Sequence, residues 1–186
     1  MRTMWARVLV GVALVAATHV AAAQEKGKTE AAQLTAESKA SLQTLYATAP
    51  LAKQLGPKAV AIMVFPEVKK AGLGIGGQYG EGALLKKGTA AAYYKTTGAS
   101  FGLQAGGQKY GYAMFFMNAK ALQEFESATG FEVGVGPSIV LVDEGMAKTT
   151  TTTTLKDDIY AFVFAQKGLM AGLGIQGNKI TKITPK

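Results

Sequence analysis

A run of eight residues recurs almost unchanged one hundred positions along the chain: Ala71 to Gln78 reads AGLGIGGQ and Ala171 to Asn178 reads AGLGIQGN, with six of eight positions identical. A related run, GLQAGGQ from Gly102 to Gln108, shares five of seven residues with the first. In each, apolar side chains alternate with glycine or a polar residue, the period of two that belongs to a strand. Leu73 and Ile75 fall on one face, and Gly72, Gly74 and Gly76 leave the opposite face bare. Glycine weakens a strand interior, so its repeated use there predicts bends, bulges or close approach by another backbone or a ligand.

The same glycines do not spell a nucleotide site. A dinucleotide fingerprint needs G-x-G-x-x-G at a strand-to-helix turn with an acidic residue about 20 positions on. Gly72, Gly74, Gly76 and Gly77 are spaced otherwise, and the QYGEG that follows from Gln78 is no helix start. The chain also contains no G-K-[ST] phosphate loop.

The ends narrow the chemistry further. Arg2 and Arg7, the apolar run from Val8 to Ala17 and the small residues Ala21-Ala22-Ala23 have the form of a cleaved signal peptide over residues 1–23. The expectation is a mature chain beginning at Gln24, exported to the periplasm or secreted, with no cysteine near the cleavage site to carry a lipid. Beyond residue 23 there is no His, Cys or Arg, and 18 lysines stand against 12 acids, a net +6. Disulfides are excluded, as are Ser-His and Cys-His nucleophile pairs and nitrogen- or sulfur-ligated zinc. No cofactor is expected, and the chain does not read as an enzyme. Asp143-Glu144 and Asp157-Asp158 are the only adjacent acidic pairs. Neighbours in a strand point to opposite faces, so neither pair is a ready-made two-carboxylate or metal site. They read as solvated turn acids, with a calcium site built from both left open.

Residues 24–29 read as a loose start and residues 30–186 as a single domain. Thr29 can cap a helix running to about Ala47, and Pro50 opens a short helical turn that Gly56-Pro57 ends. Ala59 to Phe65 (AVAIMVF) reads as a fully buried strand stopped by Pro66. Strand pieces broken by glycine are expected from Glu67 to Gly111, with a turn at Lys86-Lys87-Gly88, and a further strand over Tyr110 to Met117. Asn118 should cap a short helix over Ala119 to Ser127. Two strand pieces should flank Gly136-Pro137, and the threonine run Thr149 to Thr154 reads as an exposed strand before the closing strands. The fold class is therefore α+β: an N-terminal helix and one or two short helices packed on a curved, largely antiparallel, glycine-rich β-sheet or partly closed barrel. A small outer-membrane barrel fits poorly, because runs such as AVAIMVF do not alternate.

Several spaced elements resemble the SYLF domain. They are the strand ending at Phe65-Pro66, Lys69-Lys70-Ala71-Gly72, GIGGQYGEG from Gly74 to Gly82, Tyr93-Tyr94, and Gly102 to Gly106. Gly134 to Glu144, with its VGPS and VDEG elements, continues the series, followed by DDIYAFVF and KGLMAGLGIQG. The likeness spans Leu34 to Ile183. It implies a non-enzymatic phospholipid-binding module; phosphoinositides are the ligand class of eukaryotic members, some of which also bind actin filaments, and what carries over to this exported chain is attraction to anionic lipid. The lysines are the residues that would meet anionic phospholipid: Lys53, Lys58, Lys69, Lys70, Lys167, Lys179 and Lys182. A handful on one face, each worth about 1 kcal/mol at an anionic surface, holds a protein peripherally. The absence of Arg speaks for diffuse attraction over forked headgroup recognition. Nucleic acid is not an expected partner. The alternative is an envelope scaffold whose bare glycine face receives a protein partner.

Overall fold

Lys87 and Gly88 both hold positive φ, 50° and 76°. Two successive left-handed residues make the mirror-image turn whose twist matches that of the strands it joins. It links β1, Ala61–Lys86, to β2, Thr89–Phe116, as one long antiparallel hairpin, with Lys86 opposite Thr89 and Ala61 opposite Phe116. The computed structural model describes residues 27–133, 136–142, 156–168 and 177–185, without the side chains at 73–74, 100–105 and 168. The leader 1–23, the acidic pair Asp143-Glu144, the threonine run and most of the second glycine phrase lie outside the described residues.

Four shorter strands complete the described sheet: β3 (Phe131–Glu132), β4 (Ile139–Val142), β5 (Ile159–Gly168) and β6 (Lys179–Ile183). β2 is central. β1 lies along one of its edges, while β5 and β6 share the other, at Gln108 to Phe116 and Tyr93 to Thr97 respectively. Every pairing is antiparallel except β4 with β5. Helix α1 covers residues 27–48, α2 covers Pro50–Leu55 with a 3₁₀ turn at Gly56–Lys58 after it, and α3 covers Ala119–Ser127. The Asn118 side chain accepts from the Ala121 N–H, the cap expected of it. The fold is α+β, with an N-terminal helix on a curled half-barrel sheet.

Two expectations are corrected. Pro66 does not stop a strand, and glycines do not break the segment to Gly111 into pieces; both lie within strands of 26 and 28 residues. The register of β1 shifts between Phe65 and Val68, between Leu73 and Ile75, and between Leu84 and Leu85. A bulge leaves a residue out of the ladder and bends the strand, so a proline lacking its N–H is tolerated in the first of these.

The bends bring the two ends of β1 together. A Cβ on Gly82 would lie 2.0 Å from the Val64 carbonyl oxygen, and one on Gly80 2.8 Å from that of Glu67. Both positions require glycine because backbone crosses backbone there. The curl gives the sheet an inside and an outside. Met63, Phe65, Leu84, Tyr94, Tyr112, Met114 and Phe116 pack inside, where α3 inserts Leu122 and Phe125. The Phe125 ring lies 4.8 Å from Tyr94, 4.9 Å from Phe116 and 5.2 Å from Phe131. Outside, Ile62, Val64, Ala113, Phe115 and Phe162 meet Leu42, Leu45, Leu51 and Leu55 of α1 and α2. Burying each such leucine contributes about 1.5–3 kcal/mol. The segment that reads as buried on both faces does so because each face has its own cluster.

Gly82→Ala should therefore lower unfolding free energy by about 3 kcal/mol. Gly107→Ala, whose Cβ would meet nothing closer than the Lys70 carbonyl at 3.9 Å, should be close to neutral. Urea unfolding of both variants checks this, and equal losses would remove the self-crossing of β1 as the reason for glycine at 82.

Candidate functional site

The bulge at Phe65/Val68 decides which lysine faces where. Counting inward from it, Val68 and Lys70 point inside and Lys69 outside. Lys70 is accordingly buried, 6% exposed, opposite the buried Gln108. It is thereby taken out of any surface set, although Lys69 beside it is exposed. Lys69 lies opposite Lys109 of β2, and Lys109 lies opposite Lys167 of β5. Three lysines thus stand in one row across three neighbouring strands, on the outer face. Directly opposed residues in antiparallel strands have Cβ atoms about 5 Å apart, so like charges there repel.

One carboxylate serves the row. Glu67 lies 3.3 Å from the Lys69 ammonium and 3.2 Å from that of Lys109. Hydrogen bonding from Lys109, then from Lys69, holds the Glu67 carboxyl below its ordinary range, so it stays ionised at neutral pH. Lys167 makes no ion pair among the described residues. Three positive charges and one negative leave the row at +2.

The other expected lysines lie elsewhere. Lys53 is in the last turn of α2 and Lys58 ends the 3₁₀ turn, both exposed at basic helix ends. Lys179 and Lys182 are exposed on β6, opposite Thr97 and Tyr94 near the other end of β2. The seven residues therefore do not form one patch: Lys69 and Lys167 meet, and Lys53 and Lys58 sit on the helical layer. Lys179 and Lys182, three residues apart on β6, point to opposite faces of the sheet. Lys109 was not among the residues singled out from sequence. Its only signal was its place directly after the third glycine phrase, and the register that sets it between Lys69 and Lys167 cannot be read along the chain.

The ends of the glycine phrases form a polar interior instead of a surface. Gln78, Gln108 and Asn178 are the last residues of the three copies, and all are buried. The Gln78 amide donates to Asn178 Oδ1, joining the first copy to the second. Tyr110 donates its hydroxyl to Gln78 Oε1 at 2.7 Å, and Gln108 donates to Gln166 Oε1 at 3.2 Å. The Asn178 side chain occupies the space beside Gly98, where a Cβ would collide with it.

Asp158 is a structural clip. Its carboxylate accepts from Asn118 Nδ2 at 2.6 Å and from the N–H and hydroxyl of Ser138, each at 3.3 Å, which lowers its pKa. It ties the cap of α3 to the entry of β4 and β5. Among the described residues no three His, Cys, Asp or Glu side chains come together to hold a metal ion. No helix among them is long and apolar enough to cross a membrane.

Residues 97–184 match the family model Ysc84, described as Las17-binding protein actin regulator. This part of the chain, from the middle of β2 through β6, belongs to the SYLF family, a family of binding domains. The matched segment carries Lys109, Lys167, Lys179 and Lys182, while α1, α2 and β1 precede it. A comparison with curated proteins finds no match.

The buried phenols give the interior a pH limit. Burial pushes the Tyr110 hydroxyl from its ordinary 10.0 up to about 12, and that of Tyr112, fully enclosed, higher still. In the unfolded chain both ionise near pH 10, so the stability carried by the neutral folded forms is whole below pH 10 and lost as pH rises towards 12 and beyond. Spectrophotometric titration of phenolate should show two tyrosines ionising only as near-ultraviolet dichroism is lost. Ordinary titration of every tyrosine in the intact fold would refute this.

Proposed function

We propose that the protein is a non-catalytic phospholipid-binding domain that associates peripherally with anionic membrane surfaces through exposed lysines, in the periplasm or outside the cell. The single observation that carries the reading is the Lys69–Lys109–Lys167 row. It concentrates like charge that the described residues balance only in part, and an anionic surface supplies further counter-charge. Lys53 and Lys58 add charge on the helical layer, and Lys179 and Lys182 on β6. The large apolar side chains exposed among the described residues are Val60, Ile75 and Tyr79. The attraction proposed here is one of charge. With lysine alone to supply it, that attraction is diffuse and selects no particular headgroup.

A second reading follows from the family description, which names a protein partner. In it the domain is an envelope scaffold that binds another protein and retains no lipid.

Co-sedimentation distinguishes the two. The chain should pellet with vesicles containing phosphatidylserine and not with pure phosphatidylcholine. Raising salt from about 0.1 M to about 1 M, which shortens the screening length from about 10 Å to about 3 Å, should release it. Equal retention on both vesicles, unmoved by salt, would sink the electrostatic reading. A stoichiometric protein recovered from envelope extract, with no vesicle binding, would favour the scaffold.

A further inference from the structure

Glu67 is placed where a ligand oxyanion would sit. Its two carboxylate oxygens reach two ammonium groups from different strands, Oε1 to Lys69 at 3.3 Å and Oε2 to Lys109 at 3.2 Å, and all three side chains are well exposed. The residue is held there by the bulge that follows Pro66, which puts it out of the regular ladder beside the row. Two lysines thus already converge on one small anion, and the third, Lys167, adjoins Lys109 across the next strand pair.

We propose that Glu67 is an internal competitor for this row, occupying Lys69 and Lys109 in solution and giving way to anionic phospholipid headgroups at a membrane. The inference rests on the membrane reading and assigns its regulation to one residue. Exposed ion pairs of this kind are weak, within about 1 kcal/mol, so a dense anionic surface displaces the carboxylate while a sparse one does not. The competition raises the charge density a membrane must reach before the protein binds. It therefore sharpens discrimination between weakly and strongly anionic surfaces without any headgroup-shaped pocket.

The test is vesicle co-sedimentation of the full chain with phosphatidylcholine vesicles carrying increasing phosphatidylserine. Five proteins are compared: wild type, E67Q, E124Q, K69Q/K109Q, and E67Q combined with K69Q and K109Q. Glu124 is the control because it pairs only loosely with Lys120, at 4.0 Å, on a helix inside the sheet curl, away from the row. E67Q should bind about fivefold more tightly than wild type, the effect of one charge at an anionic surface. E124Q, with the same change in net charge, should shift binding much less, and the gain from E67Q should fall to that level in the K69Q/K109Q background. Non-additivity of this kind marks local competition. Equal gains from E67Q and E124Q, or a gain from E67Q undiminished without the two lysines, would overturn the competition while leaving the membrane reading intact. No binding by wild type and E67Q alike would overturn both.

Discussion

The approach of β1 to itself at Gly82 and Val64 is the contact on which the remaining structure depends. A 26-residue strand laid out flat would run about 85 Å and expose both faces of its hairpin to water. One bulge in β1, at Phe65/Val68, and two irregularities where β2 carries the extra residues bend the hairpin until the ends of β1 meet backbone to backbone, and only glycine at 80 and 82 permits the distance. Once the hairpin is curled, it has an inner face that α3 fills with Phe125 and an outer face that α1 and α2 cover with leucines. The short strands then have a surface of fixed curvature to extend.

That dependence explains which parts of the fold were legible in the sequence. Local chemistry was readable: the Lys87-Gly88 turn, the cap at Asn118 and the strand pieces around Gly136-Pro137 each rest on residues adjacent in the chain. The continuous apolar run AVAIMVF was also readable, because both faces of its strand from Ala61 onward are buried. What could not be read was parity. The shift at Phe65/Val68 adds one residue to β1 and that at Leu84/Leu85 one to β2, and each exchanges the faces of what lies beyond it on that strand, whereas the shift at Leu73/Ile75 adds two to β2 and exchanges none. Pro66 looked like a stop because its missing N–H is intolerable in a regular ladder, and it sits where the ladder is interrupted.

The same parity governs the site. Lys69 and Lys70 are chemically alike and adjacent, yet one joins an exposed row and the other is buried opposite Gln108. Lys109 gained its place only through a register that pairs it with partners about 40 and 60 residues away in sequence. Of the glycine phrases, the first lies within β1 and the third within β2. Their final amides meet inside the fold, Gln78 with Asn178, which gives the two most similar copies a shared physical task. A polar residue at the end of a repeated phrase carries no mark in sequence that it will be buried. The glycine opposite, Gly98, is what makes the room.

Stacking three lysines across neighbouring strands costs the fold something, because like charges directly opposite one another destabilise a sheet. Glu67 offsets part of that cost, and it does so from a bulge, the one place in β1 where a side chain stands beside the row without belonging to the ladder. A sheet under uncompensated repulsion gains stability whenever external negative charge approaches, so on the membrane reading folding and binding are linked through the same three side chains. Arginine in these positions would have brought planar, two-pronged selectivity for particular headgroups. Lysine brings a compact charge on a flexible stem, suited to a surface whose anions move. The bend of β1 between Phe65 and Val68 and the charge of its outer face are then two consequences of one bulge. It bends the strand toward its own end, and it turns Lys69 outward beside the only carboxylate within reach among the described residues.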